Sequence, residues 1–249
     1  MKSESLTTII FDLDGTLCKY KIDLEKSLLQ CFEVDDTEEL PFYATDYQEE
    51  FKRQFAQEIA GRIERPELSF RKRLFWSLLE DNDDYNRTKI IKYADRFDEL
   101  RKNILVLYPE VPDTLEKLKD KFKLGMLTNG PSNLQWGKVR QLEIEHFFDT
   151  VVVSGDHGLL KPDPRIFHLT LDNLNSTNKQ SLYVGNSIEH DIMGATNAGI
   201  PVIWRDNGET ELTNEDPDPD YVIDNLANIL DLEITKKVDS NDSRRIKIS

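Results

Sequence analysis

The chain is expected to fold as an α/β protein, a parallel sheet with helices on both faces and an all-helical block inserted after the first strand. Three features lead there. Short apolar runs alternate with helix-like segments through the second half of the 249 residues, the pattern of a parallel sheet covered on both faces. Most of those runs end in a short polar or glycine-containing tip, and ligands in such folds bind beyond the carboxyl ends of the strands. Between 18 and 104, by contrast, no strand-like run interrupts residues spaced for helices.

The first strand is read at 7–11, a short apolar stretch that runs into Asp12-Leu13-Asp14-Gly15-Thr16. In the helical block, Phe51, Phe55, Ile59 and Ile63 recur every fourth position as one apolar stripe. Leu74, Phe75, Leu78 and Leu79 mark a second helix, and Ile90, Ile91, Ala94, Phe97 and Leu100 a third. These stripes are read as packing. Beyond 104, strands are expected at 122–127, 150–153, 181–184, 201–204 and 221–223, with helices at 111–121, 134–142, 165–174 and 191–198. The acid-rich, proline-containing stretch 206–220 reads as an exposed loop. The chain therefore divides into a discontinuous core, 1–17 with 105–235, a helical module over 18–104, and a flexible tail over 236–249.

A hydrophobic fraction of 38% and a charged fraction of 32% suit a soluble globule. No apolar run approaches the roughly 20 residues that span a bilayer. No apolar signal region follows Met1, so a cytoplasmic location is expected. Cys18 and Cys31 are read as reduced thiols, since two cysteines are no disulfide framework. The net charge of −15 repels nucleic acid and anionic membrane. It leaves an anionic small molecule open, because local cations reverse the field within one cleft. The expected partner is a small phosphorylated metabolite, handled by a monomer or homodimer.

Alternate side chains of a strand point the same way, so Asp12 and Asp14 converge if the backbone stays extended. Two acids held together repel unless a cation or a shared proton intervenes. Phosphoryl transfer from a small ester needs a nucleophile, a proton donor, a cation and donors for the phosphate oxygens. Asp12 suits the nucleophile, forming an aspartyl phosphate, and Asp14 the general acid and base. Gly15 and Thr16 offer close backbone approach and a hydroxyl. Thr128 and Asn129 offer further donors, and Lys161 a compact charge held ahead of a helix by the prolines flanking Asp163. For a magnesium ion (Mg2+), Asp12, the carbonyl of Asp14, Asn186 and Asp191 form a partial oxygen shell. His190 and His157 neighbour these positions without being assigned a role. Arg62, Arg65, Arg71 and Arg73 could grip a substrate anion, yet each reads first as solvated helix charge.

Each element alone is weak; together, in this order, they resemble the haloacid dehalogenase superfamily in its phosphatase branch. Asp12 to Thr16 matches the first motif, Thr128 the second, Lys161 the third, and the segment 185–191 the fourth. The resemblance covers about 6–17 and 105–230 and implies a Rossmann-like core, a helical cap over the site, and magnesium-dependent hydrolysis of phosphate monoesters. Dehalogenase members usually lack an acid two residues past the nucleophile, so Asp14 favours the phosphatase. Where the family commonly has Gly-Asp, this chain has Gly185-Asn186, which implies weaker magnesium binding with Asp191 and Glu189 as compensation. Alternatives are a 2-haloacid dehalogenase or phosphotransferase on the same scaffold, and a non-catalytic binding or regulatory protein.

Overall fold

In the computed structural model, which describes residues 5–208 and 210–236, the run ahead of the paired acids is strand β1 (Thr8–Phe11). Ile9 and Phe11 enter one hydrophobic core and Ile10 another, the alternation of a strand buried on both faces, which is why its spelling is continuously apolar. β2 (Cys18–Tyr20) follows, then the helices α1 (Leu24–Phe32), α2 (Ala44–Ile59), α3 (Phe70–Leu79) and α4 (Arg87–Ile104), and then β3 (Leu105–Leu107). β2 and β3 pair antiparallel, Cys18 against Leu107 and Tyr20 against Leu105. The expectation of uninterrupted helix from residue 18 is corrected here: a short two-stranded ribbon leads the chain into and out of the helices. Strands this short show no usable alternation, and pairing alone defines them.

Asp23 caps α1 by accepting from the Lys26 amide at 2.8 Å, and Asn86 caps α4 by accepting from Lys89 at 3.1 Å. The apolar faces of the four helices meet in a core of their own, separate from those of the sheet. Phe75 lies at its centre, its ring 5.7 Å from Phe42 and 5.4 Å from Phe97. The stripe on α2 stops at Ile59; Ile63 lies past the helix end and is exposed.

Beyond β3 come α5 (Val111–Lys119), β4 (Lys123–Thr128), α6 (Ser132–Gln141), β5 (Thr150–Val153) and the single-turn α7 (Ser154–His157). α8 (Pro164–Asn173), β6 (Ser181–Gly185), α9 (Met193–Asn197), β7 (Val202–Arg205) and β8 (Tyr221–Ile223) complete the described residues' main elements. A π turn, Ile188–Ile192, enters α9, so the helix-like segment expected over 191–198 begins with this turn. The six-stranded sheet runs β5-β4-β1-β6-β7-β8, every neighbouring pair parallel. β1 thus lies between β4 and β6, where the chain turns from building one half of the sheet to building the other. Such a switch point opens a crevice at the carboxyl ends of the strands.

Cys18 and Cys31 are free and buried. No helix among the described residues is long and apolar enough to cross a membrane. The tail expected over 236–249 lies outside the described residues from 237 onward; Lys236 itself pairs with Asp231 at 3.2 Å.

Candidate active site

Two glycines shape the crevice. Gly15 has φ +81°, and a Cβ there would fall 2.4 Å from Asn186 Nδ2, so a side chain would be both strained and obstructed. Its N–H donates to the Cys18 carbonyl at 2.8 Å, so its contribution is space rather than a phosphate donor. Thr16 Oγ1 donates to Asn186 Oδ1 at 3.2 Å, and Trp204 Nε1 donates to the Asn186 carbonyl at 3.0 Å. At Gly185, a Cβ would lie 2.4 Å from Asp191 Cγ, so glycine makes room for that carboxylate.

Lys161, beyond β5, ties β1 to β6. Its Nζ donates to Asp12 Oδ1 at 2.6 Å, to Asp191 Oδ1 at 2.6 Å and to the Tyr183 hydroxyl at 2.9 Å. Tyr183 in turn donates to Asp191 Oδ1 at 2.8 Å, and the Ser187 amide to Asp191 Oδ2 at 2.9 Å. Lys161 is 2% exposed and Asp191 1%. One ammonium facing two buried carboxylates leaves a negative charge in excess. Burial lifts the Asp12 carboxyl to about 7, Lys161 opposing and Asp191 assisting. Burial works against the Lys161 ammonium, but the two carboxylates outweigh it and hold its pKa above the ordinary lysine value.

The amide of Asn129 holds this lysine by its backbone: Nδ2 donates to the Lys161 carbonyl at 2.9 Å, and the Lys161 N–H donates to Oδ1 at 2.9 Å. Asn129, expected to bind phosphate, is therefore engaged at both ends in placing Lys161. Of the five residues expected around the phosphate, the Thr128 hydroxyl accepts from Gln135 and keeps its proton to offer, Lys161 brings charge while its three protons face Asp12, Asp191 and Tyr183, and Gly15, Thr16 and Asn129 are engaged with the protein.

Asp14 has its own lysine. Lys138 Nζ donates to Oδ1 at 2.8 Å and Oδ2 at 2.7 Å. Gln135 Nε2 donates to Asp14 Oδ2 at 2.9 Å and to Thr128 Oγ1 at 2.6 Å. Burial pushes the Asp14 carboxyl up, but Lys138 and Gln135 together overcome this and hold it below the usual carboxylate range. The repulsion expected between the two acids is thus relieved by a separate lysine for each. Gln135, Lys138 and Tyr183 were absent from the expected set. The first two lie three apart on α6, immediately after the Thr128 loop, and that spacing places both on one helix face.

Among the described residues, no group of three or more His, Cys, Asp and Glu side chains converges to hold a metal ion. Asp191, expected as a ligand, has both oxygens engaged by Lys161, Tyr183 and Ser187. Asp12 Oδ2 accepts no hydrogen bond among the described residues and Asn186 Oδ1 accepts from Thr16; with the Asp14 carbonyl, these are the oxygens that would make up an all-oxygen donor set. Such a set, poor in charge, fits magnesium that keeps several waters. A cleft of about 930 Å³ is lined by Asp14, Asn186 and Lys138 of the core and by Tyr47, Arg71 and Arg101 of the helical block; Asp12, Thr128 and Lys161 are not among its lining residues. Of the four arginines singled out in the sequence, only Arg71 reaches this cleft; Arg62, Arg65 and Arg73 line a separate recess of about 40 Å³.

The family model described as haloacid dehalogenase-like hydrolase matches residues 6–199. The chain is 38% identical over 129 residues to a glyceraldehyde 3-phosphate phosphatase of Methanopyrus kandleri, covering 50% of this chain and 55% of that protein. It is 32% identical over 163 residues to a phosphoserine phosphatase of Thermus thermophilus, covering 64% of each. The chain thus spans between half and two thirds of the length of these relatives. Among solved structures, a HAD phosphatase from Thermococcus onnurineus superposes with TM-score 0.59 at 25% identity, over 91% of this chain and 97% of its own. A 2-haloacid dehalogenase from Pseudomonas syringae pv. tomato superposes with TM-score 0.65 at 25% identity, over 95% and 99%.

Proposed function

The chain belongs to the haloacid dehalogenase-like hydrolases, and from that membership we propose that it hydrolyses small phosphate monoesters through an aspartyl phosphate on Asp12, with Asp14 as general acid and base. The observation behind this reading is the division of the two acids between two lysines. Asp12 lies buried against Lys161 at 2.6 Å, while Asp14, two residues on, is held by Lys138 at 2.7 Å. That gives neighbouring carboxyls different environments and so different tasks.

In this mechanism an Asp12 carboxylate oxygen attacks phosphorus, the ester P–O bond breaks, and Asp14 delivers a proton to the departing alkoxide. Asp14, now ionised, takes a proton from a water whose oxygen attacks the phosphorus of the acyl phosphate. The bond to Asp12 breaks, inorganic phosphate leaves, and Asp12 returns as a carboxylate. The Thr128 hydroxyl holds a phosphate oxygen, and Lys161, its protons facing Asp12, Asp191 and Tyr183, offsets the charge that gathers there. Magnesium, held by Asp12, the Asp14 carbonyl and Asn186, would supply further neutralisation of the phosphate. Asn129 and Asp191 act as positioning residues that keep Lys161 aimed. Helices α1 to α4 serve as the cap, excluding bulk water from the cleft.

Asp14 favours hydrolysis of esters over dehalogenation, since a departing halide needs no proton and an alkoxide does. The named activities of the two relatives, both toward small phosphorylated metabolites, support the same substrate class. The test is release of inorganic phosphate from a panel of monoesters, with magnesium and with chelator, alongside Asp12→Asn. Magnesium-dependent release that vanishes in the variant is expected. No release from any ester, or full rate in the variant, overturns the reading.

A further inference from the structure

A second cavity, of about 260 Å³, opens beside the cleft and shares with it Tyr20, Arg71, Arg101, Leu134 and Lys138. Its charged lining is one-sided: Arg71, Arg101, Lys102, Lys138 and Arg140 against a single acid, Asp98. In a chain of net charge −15, such a concentration of cations around one small chamber focuses its field on an anion. The chamber is built, not incidental. Arg71 is buried and its Nε donates to Asp98 at 2.9 Å, while its terminal nitrogens donate to nothing among the described residues. Arg101 is half-buried with its guanidinium 3.3 Å from the Tyr20 ring centroid, and its NH1 donates to Ser27 Oγ at 3.0 Å. It has no carboxylate partner among the described residues, although it lines both cavities. Burial, with Arg71 adding repulsion, weakens its hold on its proton. Nearby, the buried hydroxyl of Tyr47 lines the cleft with no hydrogen-bond partner among the described residues, and its ring lies 5.7 Å from the Arg71 guanidinium. Lys102 and Arg140 are exposed on the outer side.

Resting on the phosphatase reading, we propose that the substrate carries a second anionic group besides the phosphate ester, and that Arg101 and Arg71 bind it in this side chamber. Lys138 stands at the junction, its ammonium on Asp14 and its side chain lining both cavities. A molecule that spans this junction meets both anion positions at once, and the guanidinium fork suits a carboxylate or a phosphate bidentately. Molecules lacking the second anion leave Arg101 without an anionic partner.

Two matched pairs test this. Glycerol 3-phosphate and 3-phosphoglycerate differ only in a terminal hydroxymethyl against a carboxylate, and fructose 6-phosphate and fructose 1,6-bisphosphate differ in a second phosphate. Calorimetric binding to the full chain and kcat/KM are measured for each pair. The charged member of at least one pair is expected to be preferred by about tenfold, the size of one charge-assisted hydrogen bond made or lost. That preference should collapse toward unity in Arg101→Met and return in part in Arg101→Lys. Should Arg101→Met fail to fold, the exposed double variant Lys102→Gln with Arg140→Gln is expected to narrow the preference instead. A preference in the first pair identifies a carboxylate, and in the second a phosphate. Equal binding within both pairs, or a preference that survives Arg101→Met, overturns the chamber's role. Preferential binding without turnover of any ester, p-nitrophenyl phosphate included, would uphold the chamber and overturn the phosphatase reading.

Discussion

Lys161 Nζ lies 2.6 Å from Asp191 Oδ1, so an acid expected to hold a metal grips the lysine of the third motif. The lysine is consequently fixed from two sides, by Asp191 and by Asp12. Lys161→Met removes the one cation between two buried carboxylates and leaves them facing each other. A loss of about 3–5 kcal/mol is expected, as for other buried pairs broken on one side. Urea unfolding measures it, and a loss below about 1 kcal/mol would show that the two acids relax into solvent.

The excess negative charge predicts an inverse result at Asp12. Its carboxyl is raised from 3.8 to about 7 by burial, Lys161 opposing and Asp191 adding to the rise. Below the unfolded value both states hold the proton. Between the two values only the folded state does, so stability falls as pH rises through that window and levels off above it. Asp12→Asn removes the charge. In chelator at pH 8 the variant is expected to melt about 2–4 °C above the parent, a gap that narrows at pH 5.5. Magnesium should raise the melting temperature of the parent and leave the variant unmoved. A variant that melts below the parent at pH 8 would mean that Lys161 satisfies both carboxylates fully.

Lys138 and Gln135 hold Asp14 as a carboxylate in the resting site. The proposed first step needs that carboxyl protonated, the second needs it ionised. Lys138→Met removes the main support of the ionised form, so its pKa rises and the protonated acid persists to higher pH. The descending alkaline limb of kcat/KM is expected to move upward in pH in the variant, while overall kcat falls as the base becomes scarcer near pH 6. An alkaline limb that stays in place would show that another group donates the proton.

Asp12, Thr128, Lys161 and the segment 185–191 were legible because each is a local departure at a strand end, chemistry following directly on an apolar run. The helices of the inserted block were legible where stripes were regular, as on α4. What stayed hidden depends on encounters across the fold. Gln135 and Lys138 act on Asp14 from more than a hundred positions away, Tyr183 acts from inside a strand, and nothing local marks them. The amide of Asn129 looked suited to phosphate because its chemistry is the same toward a ligand or toward the Lys161 backbone; only the fold decides between them. The β2–β3 ribbon is too short to impose a pattern, and the π turn ahead of α9 has no compositional mark.

Asn186 provides the remaining prediction. Its Oδ1 accepts from the Thr16 hydroxyl at 3.2 Å and its amide nitrogen packs where a Cβ on Gly15 would be. Asn186→Asp keeps the acceptor and the shape and adds a charge beside Asp12, in a site that already holds one carboxylate too many for its lysine. Without metal the variant is expected to melt lower than the parent, since the added carboxylate repels Asp12. With magnesium the order should reverse, and the half-saturating magnesium concentration should fall by about tenfold, as an added anionic oxygen ligand strengthens a site for a hard cation. Thermal shift across a magnesium titration reads both arms without recourse to turnover. A lower melting temperature with no change in half-saturation would place Asn186 beside the metal but outside its ligands.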